Sequence, residues 1–314
     1  MKNNHLIIGS RGSDLALWQA HWVKSQLEQH HADLSIEVEI IKTTGDTISD
    51  VALSKVGGKG LFTKALEDRL FDETIDLAVH SLKDLPTELP EGLGIGAVSE
   101  REDPRDVFLS PDRTHLSDLP EHAKVATGSL RRQSQLLNYR SDLKIQPLRG
   151  NVPTRIQKLK DSDWQGMVLA KAGLKRLELL DEATEVIDEE IILPAVGQGA
   201  LGIETRLGDF QVNAILAPLN HADTEAGVRA ERAMLHRLEG GCQVPIGAHG
   251  EVVNGEVHLR AYVGTLDGSN AVRGEISGSP DDAEELGIRL AEQLLRRGAS
   301  EILEAVREAE AQDE

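Results

Sequence analysis

The sequence predicts an α/β protein of two or three domains, on three observations. Runs with strand periodicity alternate with runs at helical spacing along the chain. The 314 residues and 34.2 kDa exceed the usual size of one core. Hydrophobic residues, at 39%, suffice to fill ordinary globular cores.

The alternation begins with LIIG (6–9) feeding DLALWQAHWVKSQL (14–27). LSIEVEII (34–41) sets Leu34, Ile36, Val38 and Ile40 against polar partners, and LFTKALEDRLF (61–71) repeats at helical spacing before IDLAV (75–79). After Pro86 to Pro90 and the charged stretch around Arg101 to Arg105, the pattern restarts with KVAT, SLRRQSQLL, KIQPL, TRIQKL, GMVLA and AGLKRLEL. Such alternation implies parallel sheets, whose ligands gather at the carboxyl ends of strands.

Composition excludes several function classes. Cys242 is the only cysteine, so neither a disulfide framework nor a paired-thiolate metal site is available. The eleven histidines show no metal spacing, and His30 and His31 fall at a predicted helix end, so no metal is expected. The N-terminal apolar run covers only Leu6 to Ile8 before Arg11, which predicts neither a signal peptide nor a membrane span; the expectation is a soluble, cytoplasmic protein. A net charge of -19 and 3% aromatic residues argue against a nucleic-acid partner.

The charge is unevenly spread. Residues 123–160 carry nine Lys or Arg and a single acid, Asp142, a local balance of +8. A solvated basic face would account for such a run taken alone. The arginines, however, fall at strand-to-helix junctions: GSRGSD (9–14), TGSLRR (127–132) and RGNVPTR (149–155) each combine glycine, hydroxyl or amide side chains, and arginine. Free N–H groups at a helix start attract anions, and arginine adds a planar fork matched to carboxylate or phosphate. Any one junction is also explained as an ordinary cap, with Ser13, Ser129 or Thr154 serving structure alone. Three together favour an anion-lined cleft and a ligand with several negative charges.

The anion is narrowed by what is missing. GGKGLFTK (57–64) lacks the ending of a Walker loop, and GQGALG (197–202) follows Pro194 and runs into a strand-like GALGIE without the acid a dinucleotide site needs. Polycarboxylates remain the better candidate. In DLAVHSLKDLP (76–86) a strand is predicted to end at about Val79, with His80, Ser81, Lys83 and Asp84 following before Pro86. That is where a catalytic group projects from an α/β sheet, although a solvated surface turn reads equally well. A lone carboxylate among arginines stays ionised and can stabilise a developing cation or shuttle a proton. His80 reads as a structural residue rather than a base. Cys242 itself sits in EGGCQVPIG (239–247), after two glycines; an isolated cysteine is also explained as a buried, inert thiol.

GSRGSDLALWQA, GGKGLFTKALE, DLAVHSLKDLP, SLRRQSQL, LRGNVPTR, LAKAGLKRL, PAVGQGALGIE and RAERAMLHRLEGGCQVPIGA, in this order, resemble the porphobilinogen deaminase (hydroxymethylbilane synthase) family. The resemblance runs from about Ile7 to the end of the chain. It implies three domains: two lobes like the halves of a type II periplasmic binding protein, joined by hinge segments, and a small α/β C-terminal domain. Here the first would comprise 1–99 and 200–219, the second 100–199, and the third 220–314 with its strand EVHLRAYVG and helix DDAEELGIRLAEQLLRRG.

The resemblance further implies a dipyrromethane cofactor, made of two substrate units and attached to Cys242 through a thioether. The sulfur would then be an anchor rather than a turnover nucleophile. Porphobilinogen bears an acetate and a propionate, so a growing chain gains two carboxylates at every addition, which would explain the basic run. By resemblance, Arg11, Ser13, Lys83, Thr127, Ser129, Arg131, Arg132, Arg149, Arg155 and Arg176 would bind those groups or the cofactor. Ser81, Gly150, Gln198 and Gly199 join the cofactor-binding set. Arg11, Arg149 and Arg155 would lie closest to the reacting ring beside the central catalytic residue, Asp84. In the implied reaction the aminomethyl group leaves as ammonia, and the resulting azafulvene is attacked by the free α-carbon of the bound terminal ring. Asp84 stabilises the cationic species and assists proton removal. Four additions and a hydrolysis release hydroxymethylbilane for tetrapyrrole and haem synthesis.

Lys55 and Lys59, in SKVGGKG, read either as part of a lid or as solvated loop lysines. Gly128 stands where the family commonly has a second hydroxyl residue, and Ser10 replaces a frequent threonine. No nucleic acid, membrane or obligate protein partner is expected, and the chain is expected to be a monomer. Two other classes stay open on residues alone: a solute-binding protein or effector domain without chemistry, and a nucleic-acid protein using the basic run. Neither accounts for EGGCQVPIG.

Overall fold

The computed structural model describes residues 4–43, 63–238 and 244–312. The expectations for Lys55, Lys59 and Cys242 concern residues outside these ranges. The chain forms two compact units, one drawn from residues 1–102 and 200–225, the other from 103–199 and 226–314.

The first unit is built on a five-stranded sheet of β1 (His5–Ser10), β2 (Ser35–Ile40), β3 (Leu77–Ser81), β4 (Leu93–Val98) and β10 (Leu201–Arg206), in the order β2-β1-β3-β10-β4. β1 pairs in parallel with β2 and β3, whereas β10 runs antiparallel to β3 and β4. Parallel neighbours need a crossover connection, and the first is α1 (Asp14–His30). Its Ala16, Ala20, Val23 and Leu27 recur at helical spacing and are buried; the last three join Leu6, Ile8, Leu77, Val79, Leu201 and Ile203 in the core on one face of the sheet. On the opposite face α2 (Lys64–Phe71) packs Leu66 and Leu70 with Ile75 and Ala78. Residues 77 to 80 of β3 therefore alternate between the two cores, and all four are buried.

The second unit contains a five-stranded and a three-stranded sheet. β5 (Asp106–Leu109), β6 (Lys124–Ala126), β7 (Lys144–Gln146), β8 (Gly166–Ala170) and β9 (Glu185–Val186) assemble in the order β7-β6-β8-β5-β9. β6 is parallel to β7 and β8, and β5 is antiparallel to β8. The plan repeats that of the first unit: three parallel strands, then an antiparallel one, then an edge strand. In both sheets the antiparallel strand is the one reached directly after the chain crosses between units, near residues 103 and 200. Helices α3 (Leu130–Tyr139), α4 (Val152–Lys160) and α5 (Lys171–Arg176) follow β6, β7 and β8.

The three-stranded sheet is an antiparallel meander of β11 (Ile246–Val253), β12 (Glu256–Gly264) and β13 (Ala271–Gly278). Asn254 and Gly255, at φ 53° and 84°, form the two-residue hairpin between β11 and β12, a backbone path that the Asn-Gly pair favours. Leu286, Leu290 and Leu294 of α6 (Ala283–Leu294) pack on Val257, Leu259 and Val263. The strand read from EVHLRAYVG stands as β12, whereas the helix read from DDAEELGIRLAEQLLRRG is α-helical only over Ala283–Leu294: Asp281 and Asp282 lie in the preceding 3₁₀ turn, and the chain kinks after Leu294, where Gly298 takes φ 104°. No helix among the described residues is long and apolar enough to cross a membrane.

Candidate functional site

In the first unit the residues of interest lie where β1 and β3, adjacent and parallel, end. β1 stops at Ser10, whose hydroxyl donates to the carbonyls of Arg11 and Ala16 at 3.0 and 3.1 Å and so ties the strand end to the start of α1. Ser13 is the N-cap of α1, its hydroxyl accepting from the Ala16 N–H at 3.4 Å. β3 ends at Ser81, whose hydroxyl accepts a 2.7 Å bond from Gln19 Nε2 of α1. A single turn of 3₁₀ helix, Leu82–Asp84, follows at once. Leu82 is buried and its N–H donates to the Ala200 carbonyl at 3.1 Å; Lys83 is half-buried and Asp84 exposed. Arg11, Ser13, Ser81, Lys83 and Asp84 thus belong to one end of one sheet.

His80 faces the other way. It is 6% exposed, with Nε2 2.9 Å from Oε2 of the fully buried Glu204. Glu204 was not singled out in the sequence, where it reads only as the end of an apolar strand.

In the second unit the two remaining junctions read as anion sites are also built. At the β6 to α3 junction Ser129 caps the helix, accepting from the Arg132 N–H at 3.4 Å, and Thr127 Oγ1 accepts from the Ser129 N–H at 3.1 Å. A Cβ on Gly128 would stand 2.3 Å from the Leu148 carbonyl oxygen, so a hydroxyl residue here would need the chain after β7 to shift away, and glycine allows the close approach. At the β7 to α4 junction the cap is Asn151 rather than Thr154. Its Oδ1 accepts from the Thr154 N–H at 3.0 Å and from the Thr154 hydroxyl at 2.6 Å. Gly150 takes φ 117°, a region costly for any residue with a Cβ. Arg155 Nε donates to the Gly150 carbonyl at 2.6 Å and Lys158 Nζ to the Arg149 carbonyl at 3.1 Å, which shape the loop. The Arg149 side chain is half-buried, burial alone acts on its guanidinium and pushes it down, and no described carboxylate offsets that cost.

The basic run does not form one surface. Lys124 pairs with Asp163, Arg140 with Asp142 at 2.7 Å, and Lys160 with Glu182 at 2.7 Å. Arg131 and Arg132 turn inward, 4% and 5% exposed, to Asp106 at the start of β5. Arg132 grips Asp106 through Nε at 3.1 Å and a terminal nitrogen at 2.7 Å; Arg131 lies 2.9 Å from it and also donates to the Leu193 carbonyl at 2.7 Å. Gln198 Nε2 donates to Asp106 at 2.8 Å and to the Pro104 carbonyl at 2.6 Å. Burial pushes the Asp106 carboxyl up, but Arg131 and Arg132 outweigh it and hold it well below the ordinary carboxylate range. Arg176 donates to the Gly199 carbonyl at 2.6 Å. Gly197 and Gly199 adopt φ 71° and 95° in this crossing segment. Arg131, Arg132, Arg176, Gln198 and Gly199 are therefore brought together around residues 194–199. Asp106, which holds Arg131, Arg132 and Gln198, was missed in the sequence because a carboxylate opening a short strand carries no local mark of its partners.

Comparison with known proteins agrees with the sequence reading. Residues 6–214 match the family model described as porphobilinogen deaminase, dipyromethane cofactor binding domain, and residues 226–296 match porphobilinogen deaminase, C-terminal domain. The chain is 51% identical over 302 residues to the porphobilinogen deaminase of Carboxydothermus hydrogenoformans, covering 96% of this chain and 97% of that protein. It is 53% identical over 306 residues to that of Chlorobium chlorochromatii, covering 96% and 98%. Among solved structures it is similar to the methionine binding protein MetQ at 14% identity and a TM-score of 0.45, over 69% of this chain and 90% of that one.

Proposed function

The chain belongs to the porphobilinogen deaminase family, and we propose that it joins four porphobilinogen molecules head to tail on a covalently held dipyrromethane primer, releasing hydroxymethylbilane. The observation that carries this reading is Arg149: a half-buried cation without an opposing carboxylate among the described residues, on a loop fixed by Gly150 and by the Asn151 cap. A half-buried cation with no described carboxylate opposite it is suited to an anionic ligand. The same donor set fits a dipyrromethane, whose side chains are carboxylates.

When bound, the dipyrromethane supplies the terminal pyrrole carbon to which the first new unit is joined. Cys242 would hold it, and the hydroxyls of Thr127 and Ser129, the Gly150 loop and Arg149, Arg155 and Arg176 would hold its carboxylates. Arg131, Arg132 and Gln198 would support that face through Asp106, and Gly199 would do so through Arg176. Arg11, Ser13, Ser81 and Lys83 would orient substrate carboxylates at the end of β1 and β3. Asp84 would hold a pyrrole N–H, offset the positive charge that develops as ammonia departs, and take up the proton released at the new carbon–carbon bond. Its exposure leaves it free to meet a substrate. We assign the chain to the cytoplasm as a monomer without an obligate protein partner, and divide it into domains of 1–99 with 200–219, 100–199 and 220–314.

The test is the intact mass of the purified chain beside a Cys242→Ser variant. An excess equal to two linked pyrrole units, present in the first and absent in the second, is the expected result. A chain that stays unmodified after incubation with porphobilinogen would make Cys242 structural and the protein a binder rather than a polymerising enzyme.

A further inference from the structure

The turn that carries Lys83 and Asp84 is seated on β10. His80 of β3 stands directly opposite Gly202 of β10, and Glu204 lies two residues further along the same face. Because Gly202 has no side chain, Leu82 and Leu85 fill its place; a Cβ there would lie 2.6 Å from Leu82 Cδ1 and 3.0 Å from Leu85 Cδ1. The His80 imidazole reaches diagonally to Glu204, its Nε2 2.9 Å from Oε2. Both side chains are buried, and the second oxygen of Glu204 has no hydrogen-bond partner among the described residues. A polar contact in such surroundings is costly to build and costly to lose, so it holds one geometry. Glu67 of α2, 8% exposed, is a further acid that interacts with both members of the pair. Burial, with a further push from Glu204, raises its carboxyl.

We infer that His80 and Glu204 are a positioning pair for the reaction: together with the Gly202 seat they lock the end of β3 to β10 and thereby fix where Asp84 stands. Neither residue touches substrate. The inference rests on the role proposed for Asp84. Positional errors of about 1 Å at a reacting group cost on the order of 100-fold in rate, so a loosened strand end should be read in kcat.

The experiment compares cofactor-loaded parent, His80→Phe, His80→Gln and Gly202→Ala proteins, each checked by intact mass and thermal unfolding and assayed with porphobilinogen at 25 °C. His80→Phe keeps the volume and removes the nitrogens; its kcat is expected to fall about 10-fold to 100-fold with KM changed less than about threefold. His80→Gln, whose amide can donate to Glu204, is expected to recover most of that loss. Gly202→Ala, which displaces Leu82, is expected to lower kcat similarly and decides the matter where His80→Phe does not fold. Parent-like kcat in folded His80→Phe or Gly202→Ala overturns the inference, as does a His80→Gln variant no better than His80→Phe. A parent that releases no ammonia from porphobilinogen, or an Asp84→Asn variant as active as the parent, overturns the assignment of Asp84 and this inference with it.

Discussion

At the scale of single residues, arginines that look alike in sequence do different work. Arg149 has no described carboxylate opposite it, whereas Arg131 and Arg132 share Asp106, which is fully buried. Removing one partner of such a cluster leaves uncompensated buried charge, a loss of about 3–5 kcal/mol. Asp106→Ala is therefore expected to lower the unfolding free energy from denaturant titration by that amount, seen as a lower midpoint, measured with the cofactor mass confirmed. An unchanged midpoint would mean that the two guanidinium groups find water or other partners. Asp84 calls for the opposite outcome. Asp84→Asn removes an exposed charge, so the unfolding free energy should stay within about 0.5 kcal/mol of the parent. Turnover of porphobilinogen, in contrast, is expected to fall at least about 100-fold. Parent-like turnover would remove Asp84 from catalysis.

At the scale of elements, the three strand-to-helix junctions were legible because caps, glycines and arginines are local signals. GSRGSD and TGSLRR gave the capping serines themselves; RGNVPTR gave the junction but not the cap, because Thr154 and Asn151 are both plausible and only the backbone path chooses Asn151. The contacts that position those junctions are not local. His80 and Glu204 are 124 residues apart, and Asp106 meets Gln198 from 92 residues away, so no pattern within either segment announces the partner. The end of β3 was read two residues early for a related reason: polar His80 and Ser81 look like the start of a loop until Glu204 and Gln19 are found beside them. Asn151→Ala tests an element. Loss of an N-cap costs about 1 kcal/mol, and the same change loosens the loop carrying Arg149. We expect a fall of a few degrees in Tm, roughly 2–4 °C by size scaling, with a rise in KM for porphobilinogen. A lower Tm with an unchanged KM would separate the cap from ligand binding.

At the scale of the whole molecule, the excess of acids sets the response to pH. Asp103, Asp106 and Asp209 all have carboxyls held below the ordinary range. For Asp103, hydrogen bonds from Arg105 and Lys171 are responsible. For Asp106 and Asp209 burial acts in the opposite sense and is outweighed, in Asp106 by Arg131 and Arg132, and in Asp209 by the Val212 N–H and Arg206. A carboxyl depressed in the folded state binds its proton more readily when the chain unfolds. Its stabilisation is thus complete above the unfolded value of about 4 and is lost as pH falls toward the folded value. Glu67, pushed up by burial, has the reverse sign, favouring the fold most at low pH and losing that contribution as pH rises through its raised value. Tm is therefore expected to drop steeply between about pH 4 and pH 2. Glu67→Gln should raise Tm relative to the parent at pH 8 more than at pH 4, since it removes a charge that burial opposes. Scanning calorimetry of both proteins across about pH 2–8 checks the two signs together, and a Glu67→Gln effect that is larger at pH 4 than at pH 8 would show that this carboxyl is stabilised rather than strained in the fold.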